Sequence, residues 1–437
     1  MSFRSKPVFL FFLYLMSLRT LAAKDVKIAE MSDDSALRLS LAKTWFIEPP
    51  VAVLRHRPIV RTLDSGERVQ IRAEQGRAGS DEFSIIIERE QNGAFNAWAQ
   101  GSFILTRRLS DGEALRARVF LRSDRYTYVQ FRPLGDHKSE MDAVVYDAFI
   151  AQTLPIPIEF KRLLTSPLTD ALTGETAAAV RRYYEPDPDD NREKRAFLRK
   201  IRSSIKTLEF GDDGAIDENG DYVYIATLEK QGEKHGLNCS GFAKWVIDAL
   251  ISPISGKKLP IAPLKEPYGN RGSTFTRPFE RIRDPYFGLD WVRNLAAAAG
   301  TAFMSSDFAN LQEIEARSAP FSAIQTRAGR ETQIRSYPGH LDEAGFGFEG
   351  ILPLLYTLAI NEPRSIFLGA INTVGGRPPM RTYVHIAVLV PYFDEDSVFR
   401  VAVFESAEET SFNRFRVRYP DHYISLCRVP ASAHFEP

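Results

Sequence analysis

Apolar and polar residues alternate with a period of two over much of the stretch 45–134. The segments 68–73 (RVQIRA), 82–88 (EFSIIIE), 101–107 (GSFILTR), 114–122 (ALRARVFLR) and 126–131 (YTYVQF) are rich in β-branched and aromatic residues. Asp64-Ser65-Gly66, Gln91-Asn92-Gly93 and Ser110-Asp111-Gly112 supply turn chemistry around them. Strand–turn–strand text without helical periodicity predicts a β-rich sandwich or barrel over 45–140. A polar lead-in, 24–44, with a short helical pattern at 35–44 precedes it. Between 141 and 205 the pattern is mixed and then helical, which predicts a helical connector, broken by the acid- and proline-rich run 185–191 (EPDPDDN).

A second domain is predicted over 206–437. A hairpin around Asn219-Gly220 leads into the strand 222–227. Phe242, Val246, Ile247 and Leu250 then recur at helical spacing. The stretch 252–360 opens rich in Pro and Gly and holds two helical patterns, 289–299 and 349–360. Strands are predicted at 365–371, 383–390, 399–405, 414–418 and 423–429. Helix first and sheet afterwards is an α+β arrangement, with 252–360 as an inserted segment, either a lid or a packing extension.

The composition is ordinary for a globular chain: 437 residues, 44% hydrophobic, 26% charged, 56 Lys+Arg against 56 Asp+Glu. Zero net charge argues against an extensive basic surface for nucleic acid. No phosphate-binding loop or glycine fingerprint follows a strand, metal-ligating residues are not clustered, and no cofactor is called for. Asp187, Asp189 and Asn191 have Arg192 where a calcium loop needs Gly, and Asp217, Asn219 and Asp221 have Tyr222 there. A helix cap at Asn191 and a hairpin at Asn219-Gly220 are the readings that remain.

The first 23 residues change the picture. Arg4 and Lys6 precede an uncharged run at 7–18 (PVFLFFLYLMSL), and Thr20, Ala22 and Ala23 follow. A basic start, a short apolar run and a small-residue exit form a signal peptide at 1–23, so the protein is expected to be exported, periplasmic or secreted, with no stable membrane span after cleavage. The run is shorter than the roughly 20 apolar residues of a spanning helix, although an N-terminal anchor is the alternative. Without this segment the chain carries 53 basic against 56 acidic residues.

Chemistry concentrates at 235–250 (HGLNCSGFAKWVIDAL). Asn238 is a good helix N-cap residue, which puts Cys239 in the first turn of a helix. Unbonded backbone N–H groups and the helix dipole favour an anion there, and a thiolate is the nucleophilic form of cysteine. Ser240 and Gly241 are small enough to let a substrate carbonyl approach the sulfur. The plainer alternatives are a buried structural thiol or one half of a disulfide with Cys427. Cys427 lies in the strand-like run 423–429 and reads as a small buried side chain.

Asn238-Cys-Ser-Gly-Phe242 resembles the Asp-Cys-Ser-Gly signature of the NlpC-type, papain-like cysteine peptidases that trim bacterial cell-wall peptides. The resemblance implies a Cys-bearing helix packed on an antiparallel sheet and hydrolysis of amide bonds in peptidoglycan stem peptides. It matches Cys239 to the nucleophile and His385, in 381–390 (RTYVHIAVLV), to the base, with Val384 where the family has glycine. Glu405 takes the place of the third polar residue, more often His, Asn or Gln. Tyr224 is placed on the oxyanion side with Ser240 beside it, although the Gly-Gly after that tyrosine is missing. The resemblance covers about a third of the chain.

Chain geometry is the test of the same trio that the residues themselves offer. His385 and Glu405 are 20 residues apart, as on two neighbouring antiparallel strands, and must share one face of the sheet to meet. A thiolate–imidazolium pair oriented by a third group is what acyl transfer through cysteine requires. His422, which also precedes a strand, is the competing base. Two other classes stay open: an inactive envelope binding module of the same fold, and an acyltransferase using the same Cys–His pair. The sequence leaves the oligomeric state open.

Overall fold

The computed structural model describes residues 25–135, 137–268, 288–304, 311–318, 324–328, 331–335, 339–375 and 380–437. The signal peptide expected at 1–23 lies outside the described residues. The chain is a mixed α+β protein built on two large antiparallel sheets.

The first sheet holds β1 (Ile59–Thr62), β2 (Arg68–Gln75), β3 (Glu82–Gln91), β4 (Ala94–Asn96), β5 (Phe103–Arg108), β6 (Ala114–Val119), β7 (Tyr128–Leu134), β8 (Lys138–Val145) and β9 (Ala148–Ile156). Its order is β1-β2-β3-β5-β6-β7-β8-β9, with β4 paired to β3. The end strands do not pair with each other, so the expected sandwich or barrel is instead a single open sheet. Its apolar face, with Val69, Phe83, Ile85 and Phe131, is covered by helical text rather than by a second sheet. Trp45 and Phe46 after α1 (Ser35–Leu41), and Tyr183 and Tyr184 of α2 (Gly174–Tyr184), provide that cover. From residue 25 to 44 the chain thus packs into this core and is not a lead-in.

The opposite face carries cross-strand ion pairs such as Arg72–Glu88 (2.7 Å) and Arg116–Glu82 (2.7 Å). The predicted boundary at 140 cuts through the β8–β9 hairpin. Its two-residue turn, Tyr146-Asp147, adopts φ of 49° and 63° without glycine, and β9 contains Pro155 at an edge, so neither signal was conspicuous.

α3 (Arg192–Ser204) joins the two units. Asn191 stands at its N-cap position, but the side-chain oxygen accepts from the Phe393 N–H (3.3 Å) instead of capping the first turn. Lys194 is buried and donates to the Pro391 carbonyl at 2.8 Å. The Asn219-Gly220 turn links β10 (Gly214–Ile216) to β11 (Tyr222–Tyr224), as the sequence predicts.

Beyond a hairpin of β12 (Ile324–Ala328) and β13 (Glu331–Arg335) comes the second sheet. It contains β14 (Phe346–Gly347), β15 (Ser365–Gly375), β16 (Met380–Phe393), β17 (Phe399–Glu405), β18 (Glu408–Ser411) and β19 (Tyr423–Pro430), ordered β14-β19-β15-β16-β17-β18. One face packs on α4 (Cys239–Ser255) and α5 (Leu289–Met304) through Leu368, Val388 and Phe404. The other packs on α6 (Ile351–Asn361) and α7 (Phe412–Arg418) through Phe367, Leu389 and Val403.

The strand predicted at 414–418 is therefore a helix, α7, whose start is fixed by the Ser411 hydroxyl accepting the Arg414 N–H at 3.3 Å. In its described parts the segment 252–360 is packing structure. Arg293 of α5 is buried against Glu315 and Glu343, both at 3.1 Å, and Tyr356 of α6 donates its hydroxyl to the Tyr183 carbonyl across the junction between the units. Among the described residues no helix is long and apolar enough to cross a membrane.

Candidate active site

Helix α4 begins where the sequence predicts. Asn238 is extended (φ −84°), and its side-chain oxygen accepts the Gly241 N–H at 2.8 Å. Its own N–H donates to the Gly214 carbonyl at 3.0 Å, tying the cap to β10. Cys239 follows as the first helical residue, where the backbone N–H has no intrahelical acceptor.

Gly241 serves packing rather than substrate access: a Cβ there would lie 1.9 Å from the Gly214 carbonyl oxygen. Ser240 also differs from expectation. It is fully buried, and its carbonyl accepts the Trp291 indole N–H at 3.1 Å, so the residue lies inside the α4–α5 layer rather than on an open substrate surface. The residue after a first-turn cysteine is rotated about 100° around the helix, and here that direction is the core.

An irregularity in β16 lies immediately before His385. The β15 register steps from Ile371↔His385 to Asn372↔Tyr383, leaving Val384 as an extra, bulged residue. The bulge inverts the alternation. Tyr383 packs with the α4-side core, whereas His385 takes the face of Ala387 and Leu389. Glu405 takes the same face as Val403. The shared-face condition is met, and His385 Nε2 lies 2.9 Å from Glu405 Oε1. The oxygen sits off the N–H axis, so the contact is an ion pair without an in-line hydrogen bond.

The β16–β17 ladder ends at Val388↔Phe404, and β17 turns away through Ser406 and Ala407, both at positive φ. His385 therefore borders open space on that side instead of a neighbouring strand. The Cys239 thiol, coming from the α4 layer, is close enough to the imidazole at this margin to favour its charged form. With Nε2 facing Glu405, Nδ1 is the nitrogen left for the sulfur.

Burial opposes charge on the His385 imidazole. The interactions with Cys239 and Glu405 outweigh that cost and raise it to about 9. Arg418 Nη1 is 2.8 Å from the same Glu405 oxygen. The Tyr419 ring stacks on His385, centroids 6.0 Å apart, and burial pushes its hydroxyl up.

A cavity of about 330 Å³ opens beside the pair, lined by Phe210, His385, Glu405, Glu408, Arg414 and Arg418 among others. Tyr224 is not brought into it. That side chain is 39% exposed on β11, and among the described residues no hydrogen bond or ring contact joins it to Cys239 or His385. His422 contacts the Tyr419 ring at 5.2 Å, so Tyr419 lies between it and His385. Cys427 is fully buried, its thiol pushed up by burial, and both cysteines are free. Among the described residues no three His, Cys, Asp or Glu side chains converge as a metal site.

Sequence reasoning missed Arg414, Arg418 and Tyr419. The Ser411 cap and the four-residue spacing of the two arginines were the available signals, and the strand reading of 414–418 hid them.

Residues 27–183 match the family model described as a domain of unknown function, DUF8515. That match covers the first sheet and its helices through α2, stops short of Cys239, and spans less than half of the chain. No curated protein matches. No solved structure matches.

Proposed function

We propose that this protein is a thiol-dependent amidohydrolase of papain-like, NlpC-type architecture. The carrying observation is that Cys239, at the start of α4, adjoins His385 closely enough to favour its charged form, while His385 Nε2 is held 2.9 Å from Glu405. A sulfur at a helix start, an imidazole that favours its charged form and a carboxylate behind it are the parts of nucleophilic acyl transfer.

In the forward half-reaction the Cys239 thiolate attacks the amide carbonyl carbon and a C–S bond forms. The oxyanion faces the Cys239 backbone N–H, which has no acceptor in the helix. His385 gives its proton to the departing amine as the C–N bond breaks, leaving a thioester. Water then loses a proton to His385 and attacks that carbonyl; the C–S bond breaks, and the acid leaves with thiolate and imidazolium restored. Glu405 orients the ring and stabilises its charge, while Tyr419 limits its rotation.

The resemblance of Asn238-Cys-Ser-Gly-Phe242 supports peptide amides of the bacterial cell wall as the substrate class, and the 1–23 segment supports export to the envelope. The test is incubation of purified protein with peptidoglycan, followed by mass analysis of released fragments. Fragments with new amine and carboxyl ends, absent with Cys239→Ala, are expected. Equal release by the Cys239→Ala protein, or none by either, would overturn the reading.

A further inference from the structure

The cavity beside His385 presents two charges that no group among the described residues neutralises. Its wall carries two guanidinium groups, but Arg418 is committed to Glu405 and lies over the Tyr419 ring at 5.7 Å. Arg414, one helical turn earlier on α7, has an exposed side chain with no carboxylate within ion-pair distance and no ring partner among the described residues. Other arginines of this region are occupied: Arg202 pairs with Glu409 at 2.6 Å, and Arg416 lies over the Phe412 ring. Glu408, just after Glu405, is likewise exposed and has no ion-pair partner among the described residues.

The two groups are held by ordered backbone. Arg414 sits in the first turn of α7, its N–H bonded to the Ser411 hydroxyl, and Glu408 opens β18 opposite Glu405. A free guanidinium and a free carboxylate on one cavity wall complement a ligand bearing the opposite pair, since charge-assisted hydrogen bonds gain most from partners not already satisfied.

We infer that Arg414 and Glu408 form a recognition subsite for a zwitterionic substituent: an amino-acid residue, beside the amide to be cut, that carries a free carboxylate for Arg414 and a free ammonium group for Glu408. The inference rests on the proposed nucleophile and adds the substrate's charge pattern to it. Arg418 and Glu405 neutralise each other, and the remaining charge in the cavity is that of His385, so the discrimination falls to Arg414 and Glu408.

The test uses three N-substituted maleimides, to which the Cys239 thiolate adds directly, differing only in the arm: propionate, propionamide or aminoethyl. Labelling rates at Cys239 are read by peptide mass spectrometry, and each charged probe is divided by the neutral one, which cancels general changes in thiol reactivity. Arg414→Gln is expected to lower the propionate-to-propionamide ratio about 3- to 10-fold, and Glu408→Gln to lower the aminoethyl ratio similarly. Arg416→Gln, which removes the same charge from the same helix outside the cavity, leaves both ratios unchanged. Ratios untouched by the Arg414 and Glu408 substitutions, or lowered equally by Arg416→Gln, would overturn the subsite while the nucleophile stands. Failure of the neutral probe to label Cys239 in the unaltered protein would instead overturn the nucleophile, and the subsite with it.

Discussion

Oε1 of Glu405 is shared: His385 Nε2 lies 2.9 Å away and Arg418 Nη1 2.8 Å away. The carboxylate thus stands between a ring that must move protons and a guanidinium that never gives one up. Arg418 is largely exposed, so its worth lies in holding the carboxylate in place rather than in stability.

Glu405→Gln keeps the shape and removes the charge. Turnover is expected to fall roughly 10- to 100-fold, as for loss of a charge that orients and stabilises a catalytic imidazolium. Arg418→Gln should cost less than about 10-fold, because the ring contact survives. Kinetics on a released-peptide assay reads both, and an Arg418→Gln loss exceeding that of Glu405→Gln would reverse the order of importance.

The raised His385 value has a sign that stability can read. The folded state holds the proton up to about 9, whereas the unfolded chain releases it near 6.5. Its contribution to stability is therefore complete below 6.5 and is lost as pH rises through 9. Urea unfolding from pH 6 to 9.5 should show the advantage of the unaltered protein over His385→Gln shrinking across that window; a constant difference would contradict the assignment.

Lys194 acts with the opposite sign. Burial pulls its ammonium down to about 7 although it donates to the Pro391 carbonyl, so the unfolded chain binds the extra proton between 7 and 10.5. This penalty is full below 7 and fades as pH rises to 10.5. Lys194→Met should stabilise the protein most at pH 6 and progressively less toward pH 10, in the same urea series.

Gly241→Ala places a methyl group 1.9 Å from the Gly214 carbonyl oxygen, backbone against backbone. A loss of about 2–3 kcal/mol is expected from the forced separation of α4 and β10. Asn238→Ala, which removes only the cap, should cost about 1 kcal/mol. Equal thermal midpoints for Gly241→Ala and the unaltered protein would remove the packing argument for this glycine.

How far the sequence could be read depended on whether the signal was local. Asn238 caps as its side chain dictates, and the apolar period after Cys239 gives α4. The pairing of His385 with Glu405 followed from strand spacing, because alternation is a rigid rule. The bulge at Val384, which turns Tyr383 to the α4 side, left no local trace, since valine is an ordinary strand residue. Tyr224 was placed by resemblance and Ser240 by its small size beside the cysteine; the one stands exposed on β11 and the other is buried in the α4–α5 layer. The open first sheet was illegible for a similar reason: alternation shows that one face is apolar but not whether helices or a second sheet will cover it.

The most direct measurement is the rate of Cys239 alkylation by iodoacetamide across pH 5 to 10, in the unaltered protein and in His385→Gln. An imidazole that takes up the thiol proton makes the sulfur a better nucleophile, so the unaltered protein should label at least about tenfold faster than His385→Gln. Coincident pH–rate profiles for the two proteins would show that His385 does not govern the sulfur and would contradict the account.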